Sequence, residues 1–560
     1  MIRDKVAVLL QQAIAKTGIE DSAIALAHPA NPEHGDFSTS IALKYAKKRG
    51  VSPMELAQQI ANHIEKGTLI STIEVIKPGF INLHLSQEIL INEMKHIQSD
   101  SPYGQGKQDK KVVVEYGQPN THKLPHIGHL FSYVYGESLS RIFAYQGNTV
   151  IRANYQGDIG LHVAKCLYAY ISRKPEGTLS LHEKVQLLQT CYQTGSEAYE
   201  NDVDAREEID AINKALYHEQ DADLIKIWKE TRSWSVQYYD EFQKSLGIVY
   251  DRSYFETDTW KIGKELVETS IGTVFERSQN AVIFRGEDHG LHTRVFINKH
   301  GNPTYEAKEL GLYAAKMRDL APFDLSITTT ASEQNEYFKV IFKAVEQLFP
   351  QNPGTYKHLG YGMINLTSGK MSSRTGEIVG AVQLVEMTTE LIKSAFDMQD
   401  SSLALSVAHA AIKYSFLKSD PFKNMTFDLE KSIARDGDSG PYLLYTYVRT
   451  QSILRQAAAN EQISLNDVYG GVLNTEERAI LQLLHQFPEV IETAAQQYMP
   501  SVIATYLFTL AQSYNLFYQK HQVLKADDAQ KALRLAITSR VGIILKSGLR
   551  LLGIETVEKM

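Results

Sequence analysis

The period of the apolar residues changes several times along this chain, and each change marks an expected structural unit. In residues 1–105, two helical patterns (Arg3–Thr17 and Pro53–Glu65) precede alternating strand candidates at Ile73–Ile76 and Ile81–Leu85. That mixture predicts a small α+β unit, closed by the turn-rich run Ser99-Asp100-Ser101-Pro102-Tyr103-Gly104. Val112-Val113-Val114 is then an unbroken β-branched run, the pattern of a strand buried on both faces. A loop rich in Gly, Pro and Asn follows, then a helix from about His129 to Tyr145 and a second strand at Thr149–Arg152, which together make a βαβ unit. The same signature returns as strand Leu325–Thr329, helix Glu333–Leu348 and strand His358–Ile364. Two such halves, separated by a mostly helical stretch from Ala164 to Ser270, predict a doubly wound nucleotide-binding fold split by an insertion. From about Ser402 onward strand signals disappear. Amphipathic patterns at Tyr442–Ala458, Glu476–His485 and Ser501–Tyr518 predict an all-helical bundle.

Composition narrows the class. A length of 560 residues suggests three or four domains, and 43% hydrophobic with 22% charged residues is globular rather than disordered. The two cysteines, Cys166 and Cys191, form no CxxC pair, so neither a disulfide framework nor a structural zinc site is expected and a reducing cytosol fits. The first residues lack the features of a signal or transit peptide, and no run approaches the ~18 apolar residues of a membrane span. A soluble cytoplasmic protein with no membrane partner is the expectation. The net charge of -7 argues against a nucleic-acid partner at first sight, but distribution matters more than the sum. Between Ala529 and Ile554, Lys531, Arg534, Arg540, Lys546 and Arg550 occur on a helical pattern without one acid. That stretch is a candidate basic stripe for phosphates, with a merely solvated helix face as the alternative.

The first βαβ loop, Gly117 to His129, would lie at the carboxyl end of a parallel strand, where α/β proteins bind ligands. Gly128 permits close backbone approach, and the helix that follows offers free N–H groups and a positive dipole end to phosphates. His126 and His129 add neutral or cationic imidazoles beside a developing phosphate charge. As metal ligands the two histidines lack a third partner, so no metal site is expected.

His126-Ile127-Gly128-His129 matches the HIGH signature of class I aminoacyl-tRNA synthetases. Gly369-Lys370-Met371-Ser372-Ser373-Arg374, after the second βαβ half, resembles their KMSKS loop. Further stretches resemble the arginyl-tRNA synthetase family in particular. Among them are Glu115-Tyr116-Gly117-Gln118-Pro119-Asn120, Asn154-Tyr155-Gln156-Gly157-Asp158, Tyr305-Glu306-Ala307-Lys308-Glu309 and Asp438-Ser439-Gly440-Pro441-Tyr442-Leu443. The last ten residues (Leu551 to Met560) and the N-terminal segments Gly35-Asp36-Phe37-Ser38 and Lys77-Pro78-Gly79-Phe80-Ile81-Asn82 extend the likeness over essentially the whole chain. The resemblance implies an additional tRNA-binding domain at 1–105, a Rossmann-type catalytic domain at 106–400 with an insertion at about 164–270, and a helical anticodon-binding domain at 401–560. The implied activity joins L-arginine to its tRNA with ATP, which enters with Mg²⁺ as substrate. No bound organic cofactor is expected, and a monomer is.

A guanidinium is permanently charged and presents five donors, so its pocket needs carboxylates in a forked arrangement. Glu115 at a strand end and Glu309 on a helix are placed to flank it, with Tyr305 one turn away on the same helix face. By resemblance, Asn120, His126 and Gln334 also hold the amino acid. His126, Gly128, His129, Lys370, Met371, Ser372 and Ser373 serve ATP. Two positions depart from the family. Glu309 stands where Asp is usual. Ser373 replaces the second lysine of the loop, a loss for which Lys123, just before the HIGH motif, is expected to substitute. In the bundle, Tyr442, Tyr445, Tyr447 and Arg449 are candidates for contact with unpaired bases, with bundle core as the alternative for the tyrosines. Lys531, Arg534 and Arg540 are candidates for tRNA phosphates.

Overall fold

The computed structural model describes residues 1–19, 24–29, 31–99, 101–173, 177–351, 355–367, 380–459 and 472–560. Its centre is a sheet of five parallel strands: β1 (Lys111–Glu115), β2 (Thr149–Gln156), β3 (Arg252–Phe255), β4 (Leu325–Ala331) and β5 (Thr355–Tyr361). They lie in the order β5-β4-β1-β2-β3. Val112, Val113 and Val114 are buried, as their β-branched run predicts. The chain winds one way from β1 through β2 to β3 and the other way from β1 through β4 to β5. The order therefore reverses between β1 and β4, and the crevice outside their carboxyl ends is where such sheets bind ligands.

Four helices frame that crevice: α1 (Ile127–Tyr145), α2 (Glu256–Thr269), α3 (Tyr305–Leu320) and α4 (Asn335–Leu348). Between β2 and β3 lie the predicted helices of the insertion: Leu161–Ser172, Leu181–Asn201, Val203–His218 and Ala222–Ser245. The N-terminal unit is a four-stranded antiparallel sheet with four α-helices among its described residues. It docks on the C-terminal bundle through Arg3–Glu489 at 2.6 Å and Arg478–Asp36 at 3.0 Å. Beyond Gly440 the described elements are four helices, Gly440–Ala458, Thr475–Gln497, Ser501–Lys520 and Asp528–Leu551. Among the described residues no helix is long and apolar enough to cross a membrane.

Three expectations need correction. His358–Ile364 is not one strand: Thr355–Tyr361 joins the central sheet, whereas Ile364–Leu366 pairs with Met425–Phe427 in a separate two-stranded sheet. The break falls at Gly362, where a Cβ would lie 2.2 Å from the Lys423 carbonyl oxygen, so the two segments approach as only glycine allows. Met425–Phe427 is itself a strand beyond Ser402, too short for an alternation to register. Within the stretch read as a helical insertion, Arg252–Phe255 is the edge strand of the main sheet, with a polar start that hid it.

The crossing of α2 and α3 sets the spacing of one wall of the crevice. A Cβ on Gly263 would lie 1.7 Å from the Ala307 carbonyl oxygen, and one on Gly311 would lie 2.0 Å from that of Thr259. The two backbones meet at glycine contact distance, and α2 begins at Glu256 while α3 carries Glu309. Gly263→Ala must push the helices apart, and overpacking of this kind typically costs about 1–3 kcal/mol. We expect a lower melting temperature together with weaker binding in the crevice. A variant with wild-type melting and wild-type affinity contradicts the crossing.

Candidate active site

The loop that leaves β1 is held in an unusual backbone course. Gly117, Gln118 and His122 all have positive φ (91°, 45° and 64°), and a Cβ on Gly117 would meet the Tyr133 ring at 2.3 Å. The insertion helix Ala222–Ser245 clamps this loop. Buried His122 is bonded through Nδ1 to Thr121 Oγ1 and through Nε2 to Thr231 Oγ1, both at 2.9 Å. The Tyr239 hydroxyl donates to the carbonyls of Asn120 (2.6 Å) and Lys123. The half-buried side chain of Asn120 lies against Gly157, where a Cβ would come within 2.2 Å of Asn120 Oδ1.

The helix after this loop starts at Ile127, two residues before the predicted start, because His126 and His129 cap it reciprocally. Gly128 N–H donates to His126 Nδ1 at 3.1 Å, and His126 N–H donates to His129 Nδ1 at 3.2 Å. The rings lie 3.8 Å apart between centroids. Since each Nδ1 accepts, each Nε2 carries the hydrogen, leaving two neutral N–H donors at the positive end of the helix. Desolvation, then the Lys123 charge, lowers the His126 pKa. Desolvation, then His126 and Lys123, lowers that of His129 well below its usual value. Of the neutral and cationic states open from sequence, the structure selects the neutral one. The Lys123 ammonium lies 4.1 Å from the centre of the Tyr192 ring, on the insertion helix Leu181–Asn201.

At the carboxyl end of β1, carboxylates collect. Glu115 is buried, paired with the fully buried Lys316 of α3, and accepts from Gln118 Nε2 at 2.6 Å. Glu256, at the first position of α2, accepts from Lys308 Nζ at 2.7 Å, and both are buried. Glu309 is buried as well, and its Oε1 has no hydrogen-bond partner. Burial first, then the nearby Glu115 charge, pushes the Glu309 carboxyl up to about 8. Three carboxylates thus share two ammonium groups, one negative charge in excess when all ionise. Tyr305 stands exposed at the mouth, its ring centre 5.2 Å from Lys308 Nζ.

The structure therefore brings Glu115, Glu309 and Tyr305 together, with one change of role: Glu115 is already engaged by Lys316 and Gln118, so Glu309 is the acid left open. Glu256 was missed, because in Phe255-Glu256-Thr257-Asp258 it reads as an ordinary acid at a helix start. Gln334 lies exposed on the turn Ser332–Gln334 beyond β4, across the crevice from β1. Lys370, Met371, Ser372 and Ser373 lie outside the described residues. Among the described residues no group of three or more His, Cys, Asp or Glu side chains is arranged to hold a metal.

On the bundle the predicted basic stripe is not laid out as a solvent-facing row, which is a further correction. Arg540 is buried at 3% exposure. Arg534 donates to buried Glu477 at 2.9 Å and to the Gln522 carbonyl at 2.8 Å. A helix whose apolar residues pack on several sides draws its arginines inward too. Tyr447 is core, and the Tyr442 hydroxyl accepts from Asn515 Nδ2 at 2.8 Å. Exposed Tyr445 and Tyr518 instead flank the Arg449 guanidinium at 4.8 and 5.0 Å. The three line a groove of about 680 Å³ that Lys525 also reaches.

Residues 4–85, 87–429 and 443–560 match in turn the families described as arginyl tRNA synthetase N terminal domain, tRNA synthetases class I (R) catalytic domain, and DALR anticodon binding domain. The chain is 30% identical to an arginine–tRNA ligase of Phocaeicola vulgatus, over 92% of each protein. It is 29% identical to one of Bacteroides thetaiotaomicron, over 93% of each. Its fold is similar to the solved arginyl-tRNA synthetase of Thermus thermophilus, with a TM-score of 0.82 at 24% identity and full coverage of both chains.

Proposed function

The chain belongs to the arginyl-tRNA synthetase family of class I aminoacyl-tRNA synthetases, and from that premise we propose how its residues divide the work of joining arginine to tRNA. The observation that carries this reading is the buried acidic pocket with one charge in excess, set at the switch point of the sheet. Glu309, aided by Glu256, receives the guanidinium, and Tyr305 closes the mouth. Glu115, held by Lys316, keeps the pocket negative, while Asn120, His126 and Gln334 hold the amino-acid end.

In the first step the arginine carboxylate attacks the α-phosphorus of ATP and pyrophosphate leaves. In the second, a hydroxyl of the terminal adenosine of tRNA attacks the arginyl carbonyl and AMP leaves. ATP enters as its Mg²⁺ complex. Neutral His126 and His129 donate Nε2–H bonds to phosphate oxygens beside the N-terminus of α1, where Gly128 lets the phosphates approach. Lys123 supplies fixed positive charge from the same side. Lys370, Met371, Ser372 and Ser373 of the second signature serve the triphosphate. Preorganised donors and charge, rather than proton transfer, account for the acceleration.

Residues 1–105, 106–400 and 401–560 serve as tRNA-binding, catalytic and anticodon-binding domains of a cytoplasmic monomer. The Tyr445–Arg449–Tyr518 groove stacks unpaired bases, and Lys525 and Lys531 meet phosphates nearby.

The primary test is charging of total tRNA with each of the twenty amino acids. Arginine alone should be esterified, and arginylation no better than a protein-free control rejects the function. Lys123→Ala should lower kcat by ~10²–10³, the usual loss for one preorganised electrostatic contact, and leave the KM for arginine nearly unchanged. Ser373→Lys in that background should restore part of kcat, and a wild-type kcat for Lys123→Ala removes Lys123 from the mechanism. Arg449→Ala should weaken tRNA binding and reduce the slope of log affinity against log salt by about 1 if it meets a phosphate. An unchanged slope with lost affinity assigns it to base stacking instead.

A further inference from the structure

We propose that the free enzyme holds a proton on Glu309 and that arginine expels this proton as it binds, so that loading of the pocket is an exchange of one cation for another. The inference rests on the arginine pocket assigned above. Its basis is the arrangement of charge. Glu309 Oε1 is buried without a hydrogen-bond partner, so burial penalises the ionised carboxylate.

Charged and titratable groups face Glu309 from every side. From β1 comes Glu115, from α2 Glu256, and from its own helix Lys308, Tyr313 and Lys316. Tyr155 of β2 and Tyr337 of α4 complete the enclosure, and burial together with these carboxylates keeps all three phenols neutral. Glu306 nearby is matched by Arg294 at 3.1 Å. Lys316 is paired with Glu115 and Lys308 with Glu256, so among the described residues no cation is paired with the third acid, and the Lys316 charge only partly offsets its burial. The empty pocket reaches neutrality by taking up a proton. With arginine present, the guanidinium supplies the missing charge, the carboxyl ionises, and the proton passes to solvent. The guanidinium itself cannot be the source, because it stays protonated at every relevant pH.

This exchange sets the sign of the pH dependence. Binding requires ionised Glu309, and the free carboxyl titrates near 8. Affinity for arginine should therefore rise about tenfold per pH unit from pH 6 to 8 and flatten above that. The usual glutamate value near 4.3 would give no change in this window.

The test is calorimetric titration of the full chain with L-arginine at pH 7, in buffers of different ionisation enthalpy such as phosphate and Tris. The buffer dependence of the heat should report release of roughly 0.9 proton per arginine, and about half a proton at pH 8. Glu309→Gln should abolish the buffer dependence. Lys316→Met, which removes the one cation that favours the ionised form, should extend proton release to higher pH, a change that loss of packing alone does not produce. If Glu309→Gln no longer binds arginine, the wild-type stoichiometry and the Lys316→Met shift still decide the matter. An enzyme that charges tRNA with arginine but binds it with buffer-independent heat overturns this proposal and leaves the function standing. A protein with no arginine heat and no charging overturns both.

Discussion

An unequal count of buried charges is the constraint on which this site depends. An uncompensated carboxylate in a protein interior costs several kcal/mol after relaxation, and removing one partner of a buried pair typically costs about 3–5 kcal/mol. Glu115 and Glu256 avoid that cost through Lys316 and Lys308. Glu309 does not, and the imbalance is kept in place by the fold rather than by local chance. The three acids come from β1, α2 and α3, and the last two elements are locked by the glycine crossing at Gly263 and Gly311. Stability is given up at one carboxyl so that a cation of one charge is wanted there.

The insertion touches this pocket, since Lys308 Nζ lies 5.5 Å from the centre of the Tyr217 ring on the insertion helix Val203–His218, and it also positions the pocket from behind. Asp158, just beyond the carboxyl end of β2, is fully buried. It accepts from Arg232 Nε at 2.6 Å, from Thr257 N at 3.0 Å and from Thr257 Oγ1 at 2.7 Å. Its own carbonyl accepts from Trp228 Nε1 at 2.9 Å. One side chain thus ties the insertion helix Ala222–Ser245 to the first turn of α2, where Glu256 sits. That helix also carries Thr231, Ser235 and Tyr239, which fix the loop of Asn120 and Lys123. The acidic pocket and the loop of Asn120 and Lys123 are therefore positioned from one common helix, which fixes their separation for the proposed binding of the two substrate ends.

How much of this was legible in sequence varied with the length of the signal. Val112–Val114, the long helix patterns and the two signature motifs carry enough period or spacing to place the central sheet, the insertion helices and the bundle. Short segments did not: Arg252–Phe255 and Met425–Phe427 are only four and three residues long. At the site, Glu115, His126 and His129 could be named because a strand end and a helix start point to the crevice, whereas Glu309 could be named only through the resemblance of Tyr305–Glu309 to the family's helix. Their ionisation could not, since it depends on Lys316 and Lys308, whose burial no local pattern announces. Glu256 was hidden for the same reason. Arg534 and Arg540 misled because an acid-free helix looks basic in sequence, whereas Glu477 reaches Arg534 from another helix and burial withdraws Arg540.

Charge is handled in opposite ways at the two ends of the site. At the phosphate end, two imidazoles serve as acceptors for the backbone of α1, and desolvation, then crowding with Lys123, keeps them neutral. They can donate to an anion without exchanging protons, so the field that meets a departing pyrophosphate is the same before and after reaction. At the other end, the open carboxyl answers the permanent cation that the proposed function places there. Burial, which makes that carboxyl hard to ionise alone, also makes the eventual ion pair strong, because the same low dielectric acts on both terms. A neutral isostere of arginine would leave Glu309 protonated or uncompensated. On the proposed assignment, discrimination arises from the desolvation that burdens the empty pocket, and glutamate in place of the family's usual aspartate keeps that logic.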